Sequence, residues 1–374
     1  MRIAVNTRLL IKDKLEGMGW FTYETLIRIT KSHPEHEFIF FFDRSYSKEF
    51  VFSSNVTPVV LQPQSRHPIL WYLFFEWSVP FALKRYKADL FLSPDGWVSL
   101  RTKVKTISVI HDLNFEHFPQ YIKLFPYLYY YIFFKQYARK AVRIATVSEY
   151  TKQDICTLYG IDASRIDIVY NGSNEIYKPL SDAEQNGIRQ QFTDGKPYFI
   201  FIGLIHKRKN LINLFKAYDH FRRFSENDVK LIIVGSKKWW RGDIETTFNQ
   251  MKYKNDVIFT GRIEPLELSR LLASSLALTY VSYFEGFGIP ILEAFNAETA
   301  VITSNVTSMP EVAGDAALLV DPYSVVSIAQ AMQKIFSDKE LRHSLIEKGR
   351  KRRLDFSWDA TAAKLWETIS KEIK

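Results

Sequence analysis

Two glutamates eight residues apart enclose a glycine-broken loop in the second half of this 374-residue chain. They begin and end the segment Glu285-Gly-Phe-Gly-Ile-Pro-Ile-Leu-Glu293. Gly286 and Gly288 let backbone N–H groups approach a ligand without interference from a Cβ atom. Pro290 suits the first turn of a helix, where its missing N–H has no consequence. A helix N-terminus behind such a loop can bind phosphate or the oxygens of a sugar.

The two carboxylates limit what this loop can bind. Acids that faced a phosphate directly would repel it, so we expect Glu285 and Glu293 to accept hydrogen bonds from hydroxyls. A nucleotide-sugar has phosphates in its middle and hydroxyls at both ends, and it fits this arrangement. The alternative is an ordinary loop–helix junction whose glutamates are solvated.

The same segment resembles the Glu-x7-Glu motif of retaining glycosyltransferases with the GT-B fold. These enzymes form glycosyltransferase family 4 (glycosyl transferases group 1), and the chain resembles its mannosyltransferase-like members. The resemblance implies that Glu285 binds hydroxyls of the transferred sugar and that Glu293 binds the ribose of the nucleotide. It also implies donor contacts from the residues of the loop between them, namely Gly286, Phe287, Gly288 and Ile289.

A basic turn opens the second half of the chain. The segment Gly203-Leu-Ile-His-Lys-Arg-Lys-Asn210 places three consecutive bases after a strand and before a helix, which is typical of a phosphate site. The family has an Arg-Lys-Asn here, matched by Arg208, Lys209 and Asn210. The resemblance implies that Arg208 and Lys209 neutralise the leaving diphosphate in place of a metal. A solvated basic turn is the alternative.

Two further glycine turns follow strands of the same half, at Gly235 and at Gly261-Arg262-Ile263. In the family such turns surround the nucleotide base. Glycine after a strand is common in any α/β domain, so neither turn identifies the base.

In the first half, His111-Asp112 ends a strand where the family often has His-Asp beside the donor sugar. A neutral His111 could bind a sugar hydroxyl or help to position the acceptor. A histidine satisfied by nearby backbone, and Asp112 as a turn or helix cap, are the alternatives. Gly17 and Gly19 resemble the family's Gly-x-Gly loop against the diphosphate, but they do not complete a dinucleotide-binding GxGxxG pattern.

The elements that must position these residues are strands alternating with helices, the pattern of parallel α/β folds. Apolar runs predict seven strands in the first half, at 3–6, 38–42, 59–61, 89–92, 106–110, 144–147 and 166–169. They predict six in the second half, at 198–202, 230–234, 257–259, 276–280, 300–303 and 317–320. We expect the GT-B arrangement: two doubly wound, Rossmann-like domains that face a central crevice. The predicted domains are an acceptor-side domain at 1–175, a nucleotide-sugar domain at 190–355 and a helix at 356–374 that crosses back. The polar, irregular-looking stretch from Tyr170 to Pro197 is the expected boundary.

Composition and charge limit the compartment and the partners. The single cysteine, Cys156, excludes internal disulfides, and no apolar run resembles a signal peptide or a membrane span, so we expect a cytoplasmic protein. The net charge of +9 and the pI near 9.2 require an anionic partner. Nucleic acid is disfavoured because no zinc or RNP-like motif occurs. A nucleotide-sugar or an anionic membrane surface explains the charge.

A basic, aromatic cluster at residues 119–148 contains no acid, and a similar texture occurs at 70–85. Its bases are Lys123, Lys135, Arg139, Lys140 and Arg143. Such helices can lie in a membrane interface, which would place the protein peripherally on the inner face of a membrane. The alternative is amphipathic helices packed on the first sheet.

The resemblance implies a retaining enzyme that moves a hexose from GDP-mannose or a UDP-hexose to a glycan or lipid-linked acceptor in surface polysaccharide synthesis. His111-Asp112 and the Arg-Lys-Asn pattern favour mannose as the hexose. No cofactor or metal is expected, since no Asp-x-Asp triplet occurs. The alternatives are a catalytically silent nucleotide-sugar-binding or membrane-docked subunit, and a GT-B epimerase or phosphorylase.

Overall fold

The structure is a computed structural model that describes residues 1–223, 228–237, 240 and 242–373. It divides the chain into two compact units. Unit 1 comprises Met1–Gly172 together with the chain from Trp358 onward, and unit 2 comprises Ser173–Ser357.

The core of unit 1 is a seven-stranded sheet in which every neighbouring pair is parallel. Its strands are β1 (Arg2–Asn6), β2 (Glu37–Phe42), β3 (Val56–Val60), β4 (Leu90–Ser93), β5 (Lys105–Ile110), β6 (Arg143–Thr146) and β7 (Ile166–Ile168). The strand order is β3-β2-β1-β4-β5-β6-β7. All seven were predicted, although β3 begins earlier than the expected 59–61. Pro58 lies inside it, which an edge strand tolerates.

Helices of unit 1 connect these strands. They are α1 (Gly17–Ser32), α2 (Pro68–Leu73), α3 (Val79–Arg85), α4 (Asn114–His117), α5 (Leu124–Lys140) and α6 (Glu149–Tyr159). A π-helical turn, Phe74–Ser78, joins α2 to α3 without a break. Because helices cover the sheet, its strands are near-continuous apolar runs, as in the Phe38–Phe42 part of β2.

The core of unit 2 is a six-stranded parallel sheet. Its strands are β8 (Tyr198–Ile202), β9 (Lys230–Val234), β10 (Val257–Gly261), β11 (Ala277–Tyr280), β12 (Ala300–Ser304) and β13 (Leu318–Val320). They lie in the order β10-β9-β8-β11-β12-β13, which is the order of a Rossmann-like sheet. All six were predicted from their apolar runs.

The described helices of unit 2 are α7 (Asp182–Thr193), α8 (Leu211–Arg223), α9 (Asp243–Gln250), α10 (Pro265–Ala273), α11 (Ile289–Asn296), α12 (Met309–Ala313), α13 (Val325–Ser337) and α14 (Lys339–Arg352). Helix α7 corrects the expectation of an irregular stretch before Pro197. Ser181 and Glu184 form a capping box at its start, and this signal is present in the sequence.

The chain ends with α15 (Trp358–Ser370), which packs on α1 in unit 1. Arg28 on α1 donates through Nε to Asp359 at 2.5 Å, and His33 stacks on Trp366 with ring centroids 3.7 Å apart. The last helix therefore contributes to unit 1.

Both sheets have a topological switch point, where connections leave the first strand in opposite directions. It lies between β1 and β4 in unit 1 and between β8 and β11 in unit 2. Ligand sites in open α/β sheets form at the carboxyl ends of such strands. Across the described ranges, no helix combines the length and apolarity needed to cross a bilayer.

Candidate active site

Two loops meet at the switch point of unit 2, one after β8 and one after β11. Tyr283 N–H donates to the Arg208 carbonyl at 2.9 Å, and the Arg208 guanidinium donates to the Phe284 carbonyl. The Asn210 amide donates to the Val281 carbonyl at 2.9 Å. These bonds bring together the basic turn and the first glutamate, as the sequence predicted from two separate motifs.

The carboxylate of Glu285 lies between two cations. Its Oε2 is 3.0 Å from Arg208 Nη1, and its Oε1 is 2.7 Å from Lys209 Nζ. Only 9% of the Glu285 side chain and 13% of the Lys209 side chain are exposed. Two positive groups and one negative group leave the cluster with a net charge of +1, which suits an anionic ligand.

The cations decide the protonation state of Glu285. Burial alone would raise its pKa, but attraction to Arg208 and Lys209 outweighs burial and lowers the pKa to about 2. The carboxylate is thus ionised at neutral pH and is a weak base. It can accept hydrogen bonds from hydroxyls, but it is poorly suited to removing a proton from an attacking group.

Tyr280, at the end of β11, belongs to this cluster and was missed by the sequence analysis. Lys209 Nζ donates to its hydroxyl oxygen at 2.8 Å and lies 4.8 Å from its ring centroid. Burial, with the nearby Glu285, raises the pKa of Tyr280 well above its usual value, so the phenol stays neutral. A tyrosine inside an apolar strand gave no signal that distinguished it from the core.

Gly203 and Gly235 follow β8 and β9, and Gly261 is the last residue of β10. Gly203 N–H donates to the Val234 carbonyl at 3.0 Å, and Gly235 N–H donates to the Gly261 carbonyl at 2.9 Å. A Cβ on Gly235 would lie 1.9 Å from the Gly203 carbonyl oxygen, so only glycine fits there. The next residues, Arg262 and Ile263, are exposed and half-buried respectively.

The glycine loop leads directly into α11. Gly288 has a φ of +110° at the N-cap, Ile289 is the first helical residue, and Pro290 lies in the first turn as predicted. Phe287 is buried, and Ser308 Oγ donates to the carbonyls of Glu285 and Phe287 at 2.8 and 2.9 Å. Ser308 therefore fixes the backbone of the glycine loop through these two hydrogen bonds.

Glu293, on α11, has a different environment from Glu285. Burial raises its pKa to about 7, and a hydrogen bond with Tyr177 partly offsets this effect. The two glutamates thus differ strongly in acidity although they belong to one motif. The cause is that Arg208 and Lys209 pair with Glu285, whereas a neutral phenol faces Glu293.

The side chain of Asn210, expected to contact the donor, joins the loops after β8, β11 and β13. Its Nδ2 donates to the carbonyls of Val281 and Pro322 at 2.9 and 2.7 Å, and it is buried with a φ of +59°. Both amide hydrogens are used within unit 2. These two bonds hold the turn that carries Arg208 and Lys209, and a contact of Asn210 with the donor stays a prediction.

His111 lies at the end of β5 in unit 1. Its Nε2 is 2.7 Å from the Pro94 carbonyl, so Nε2 carries the proton and Nδ1 is left as an acceptor in the neutral ring. Burial lowers the pKa of His111, and this effect exceeds the opposite effect of the bond to Pro94. The imidazole is therefore neutral at pH 7. Asp112 Oδ1 accepts from Asn114 N–H at 3.0 Å, so the turn-forming alternative applies to Asp112.

Gly17 and Gly19 do not form a loop before a helix. They lie in the first turn of α1, and neither has a positive φ. Gly19 is needed for a close approach, since a Cβ there would lie 3.1 Å from the Leu9 carbonyl oxygen. The expected glycine loop is therefore corrected to a helix N-terminus whose second glycine packs on the preceding segment.

A second buried ion pair, at the switch point of unit 1, was missed by the sequence analysis. Arg8 Nε donates to Asp95 Oδ2 at 2.5 Å, and Asn6 Nδ2 donates to Asp95 Oδ1 at 2.8 Å. The Arg8 guanidinium lies 4.6 Å from the Trp97 ring centroid. Residues 87 positions apart give no sequence signal for such a pair.

No group of three or more His, Cys, Asp or Glu side chains that could hold a metal ion occurs among the residues that the structure describes.

Two Rossmann-like sheets, with a cationic cluster at the switch point of the second, are typical of the GT-B fold. A family model described as Glycosyltransferase Family 4 matches residues 16–175, and one described as Glycosyl transferases group 1 matches residues 183–352. The chain belongs to glycosyltransferase family 4, the glycosyl transferases group 1. It is a hexosyltransferase, and the predicted family and fold are confirmed.

Curated relatives and solved structures agree with this assignment. The O-antigen chain mannosyltransferase B of Escherichia coli is 26% identical, over 93% of this chain and 94% of that protein. The O-antigen chain mannosyltransferase RfbU of Salmonella typhimurium is 25% identical, over 75% of this chain and 74% of that protein. Alr3699/HepE of Anabaena, crystallised with UDP and glucose, superposes with a TM-score of 0.76 at 16% identity, over 99% of this chain and 100% of that one.

Proposed function

We propose that this glycosyltransferase moves mannose from GDP-mannose to a glycan or lipid-linked acceptor, with retention of anomeric configuration, in surface polysaccharide synthesis. The observation that carries the proposal is the ionised Glu285 held between Arg208 and Lys209 at the switch point of unit 2. The names of the O-antigen mannosyltransferase relatives support mannose and a surface glycan.

The positive charge of Arg208 and Lys209 supports a role for them in binding the diphosphate of the donor. As the bond from the anomeric carbon to the diphosphate breaks, negative charge grows on the leaving oxygen. Arg208 and Lys209 would stabilise that charge, so we propose that the reaction needs no metal ion. Glu285 would accept hydrogen bonds from the sugar, and Glu293 would accept them from the ribose.

We propose retention because the Glu285–Glu293 segment resembles that of retaining family 4 enzymes, and the weak basicity of Glu285 bears on how retention would occur. A carboxylate held by two cations is a poor nucleophile, so we favour front-face attack over a covalent intermediate. The acceptor oxygen bonds to the anomeric carbon on the face that the diphosphate leaves. Its proton passes to the departing phosphate oxygen. We place His111 beside the sugar as a neutral hydrogen-bonding group.

The turns at Gly203, Gly235 and Gly261 would receive the nucleotide, with Arg262 and Ile263 beside its base. We also propose that Gly17 and Gly19, at the start of α1, lie against the diphosphate. A position on the cytoplasmic face of a membrane is the natural place for an enzyme with a soluble donor and a lipid-linked acceptor.

A donor panel tests this proposal. The protein is incubated with GDP-mannose, UDP-glucose, UDP-galactose and ADP-glucose, each with and without EDTA, and free sugar and nucleotide are measured. We expect GDP-mannose to raise the melting temperature most and to be hydrolysed or transferred in EDTA. NMR of the product should show the α configuration of the donor.

Three results would contradict the proposal. Selective turnover of a UDP-sugar would reject mannose from GDP as the donor. An epimerised nucleotide-sugar formed without acceptor would identify an epimerase. Binding without turnover, with any acceptor supplied, would identify a silent subunit.

A further inference from the structure

Unit 1 exposes an apolar stripe along the helical stretch from α2 to α3. Its exposed apolar side chains lie at positions i, i+3, i+4, i+8 and i+12 and so share one face: Ile69, Tyr72, Leu73, Trp77 and Phe81. Ile69 is 70% exposed and Phe81 is 68% exposed. Lys84 and Arg85, both exposed, continue the same face at the end of α3.

A second stripe runs along α5. Its exposed members are Leu124, Phe125, Leu128, Tyr131 and Ile132, and Phe125 is 75% exposed. The opposite face of α5 is buried through Tyr129, Phe134, Tyr137 and Ala138. Packing on the sheet thus accounts for one face of this helix and leaves the other face apolar and uncovered.

The two stripes belong to neighbouring helices. Rings of α2 and α5 contact one another, with centroids 5.8 Å apart for Tyr72 and Phe133 and 5.5 Å apart for Trp71 and Tyr129. We call the ten exposed residues of both stripes the two-helix apolar patch. Its members are Ile69, Tyr72, Leu73, Trp77, Phe81, Leu124, Phe125, Leu128, Tyr131 and Ile132.

The charges beside the patch are positive. Lys84, Arg85 and Lys123 are exposed, and the Arg101 guanidinium lies 3.9 Å from the Trp77 ring centroid. The one acid of residues 68–85, Glu76, is buried and accepts hydrogen bonds from the N–H groups of Leu100 and Arg101. Residues 119–140 contain no acid.

Two bases expected to face a membrane have another role. Lys135 Nζ donates to the Leu158 carbonyl at 3.0 Å, and Arg139 Nη2 donates to the Tyr159 carbonyl at 3.3 Å. Both therefore satisfy carbonyls at the C-terminal end of α6. Lys84, Arg85 and Lys123 are the bases to vary instead.

We propose that the two-helix apolar patch docks unit 1 onto an anionic lipid bilayer. Its aromatic and aliphatic side chains enter the interface, and the surrounding bases contact headgroup phosphates. Trp and Tyr among the exposed rings suit the boundary between headgroups and acyl chains. The inference rests on the proposed function only in that a lipid-linked acceptor gives the membrane its role.

Charge argues against a second copy of this chain as the occupant. Two copies joined through the patch would bring their positive rims together, which is unfavourable. An anionic bilayer complements the rim, and it requires no groove of matching shape.

Vesicle co-sedimentation of the full chain tests the proposal. Phosphatidylcholine vesicles are compared with vesicles that also contain phosphatidylglycerol, at low and high salt. We expect binding to the anionic vesicles that weakens as the Debye length falls from about 10 Å at 0.1 M to about 3 Å at 1 M. Wild-type protein that stays in the supernatant at low salt would overturn the proposal.

Two variants separate the apolar and charged contributions. Phe81→Ser with Phe125→Ser and Ile132→Ser should weaken binding by about tenfold or more, because each removes apolar area that the bilayer buries. Lys84→Gln with Arg85→Gln and Lys123→Gln should abolish the preference for anionic vesicles. The matched control is Leu266→Ser with Val326→Ser and Leu354→Ser, three exposed apolar residues of unit 2, which should bind like wild type.

Further readouts keep the outcomes distinct. Brominated lipid should quench Trp77 fluorescence, so Trp77→Phe should lower the quenched fraction. A wild-type dimer that becomes monomeric in the Ser variant would identify a second copy and reject the bilayer. Donor hydrolysis is assayed separately without vesicles. Wild-type protein that hydrolyses the donor but does not bind vesicles refutes docking alone, whereas wild-type protein that binds vesicles but does not hydrolyse the donor refutes the proposed function alone.

Discussion

The two switch points of this protein repeat one strand order but differ in charge. Each holds a buried arginine–carboxylate pair, Arg8 with Asp95 in unit 1 and Arg208 with Glu285 in unit 2. In unit 1 one cation meets one carboxylate, so the pair is neutral. In unit 2 Lys209 adds a second cation, and the cluster has a net charge of +1.

The residues around each arginine–carboxylate pair also differ between the two units. The Arg8 guanidinium lies over the rings of Trp97 and Phe75, at 4.6 and 5.3 Å from their centroids, and Asn6 supplies a neutral hydrogen bond to Asp95. This neutral pair, packed against aromatic rings, has no net charge to attract an anion. The positive cluster of unit 2 suits a diphosphate. The two sheets thus supply equivalent positions, and Lys209 gives the position in unit 2 a net positive charge.

The largest effect is expected from Glu285→Gln. Transfer should fall by about 100-fold or more, because the carboxylate contacts the sugar most strongly in the transition state. Nucleotide diphosphate affinity should stay equal or increase, since the change raises the cluster charge from +1 to +2. Steady-state kinetics and calorimetry with the nucleoside diphosphate measure both. Wild-type transfer rates in this variant would disprove the role of Glu285.

The lowered pKa of Glu285 gives the same variant a stability signature. The ionised carboxylate contributes stability above its unfolded value of 4.5, and this contribution is lost as pH falls towards 2. Glu285→Gln should lack that part of the acid-induced destabilisation.

Lys209→Ala should have the next largest effect. Loss of one charged partner of the leaving oxygen should raise the activation free energy by about 2–3 kcal/mol. Lys207→Ala is the matched control, because Lys207 is exposed and pairs with Asp243 at 2.9 Å. Rates are measured with and without EDTA. Complete inactivation by EDTA, reversed by magnesium or manganese, would show that a metal and not Lys209 carries the charge.

Glu293→Gln should have a smaller, pH-dependent effect. The folded pKa of Glu293, about 7, exceeds its unfolded value of 4.5, so the proton it retains contributes stability that is lost as pH rises through 7. At pH 8 urea unfolding should give the variant a free energy of unfolding higher than that of wild type by on the order of 1–3 kcal/mol. Near pH 4 the two proteins should have the same stability.

Nucleotide affinity provides the second half of this test. An ionised Glu293 accepts a ribose hydroxyl more strongly than a protonated one, so wild-type affinity should increase by about tenfold between pH 6 and pH 8. The Gln variant should show no such rise. Equal pH dependence in both proteins would remove Glu293 from the nucleotide site.

Much of the fold and part of the site were predictable because their signals are local in sequence. The thirteen apolar runs, the basic turn at 207–209 and the glutamate motif each lie within a few residues. The partners of these groups are not local: Arg8 meets Asp95 across 87 positions, and Lys209 meets Tyr280 across 71. Only folding brings such residues together, so sequence patterns missed them.

Several predictions for polar residues were incomplete because a polar side chain can serve a structural role as well as bind a ligand. The stretch before Pro197 looked irregular because its residues are hydrophilic, yet a capping box starts α7 there. Asn210 has a structural role that its motif did not indicate, because its Nδ2 binds the carbonyls of Val281 and Pro322. Lys135 and Arg139 looked available to lipid, but they bind carbonyls at the end of α6.

The charge difference between the two switch points is tested most directly by a matched pair of arginine variants. Calorimetry compares GDP binding to wild type, Arg208→Gln and Arg8→Gln, with circular dichroism confirming that each protein is folded. We predict that Arg208→Gln weakens GDP binding by about tenfold or more, as expected for the loss of a charged hydrogen bond, and that Arg8→Gln changes it by less than about twofold. Equal weakening in both variants, or a larger loss from Arg8→Gln, would contradict the assignment of the diphosphate to unit 2.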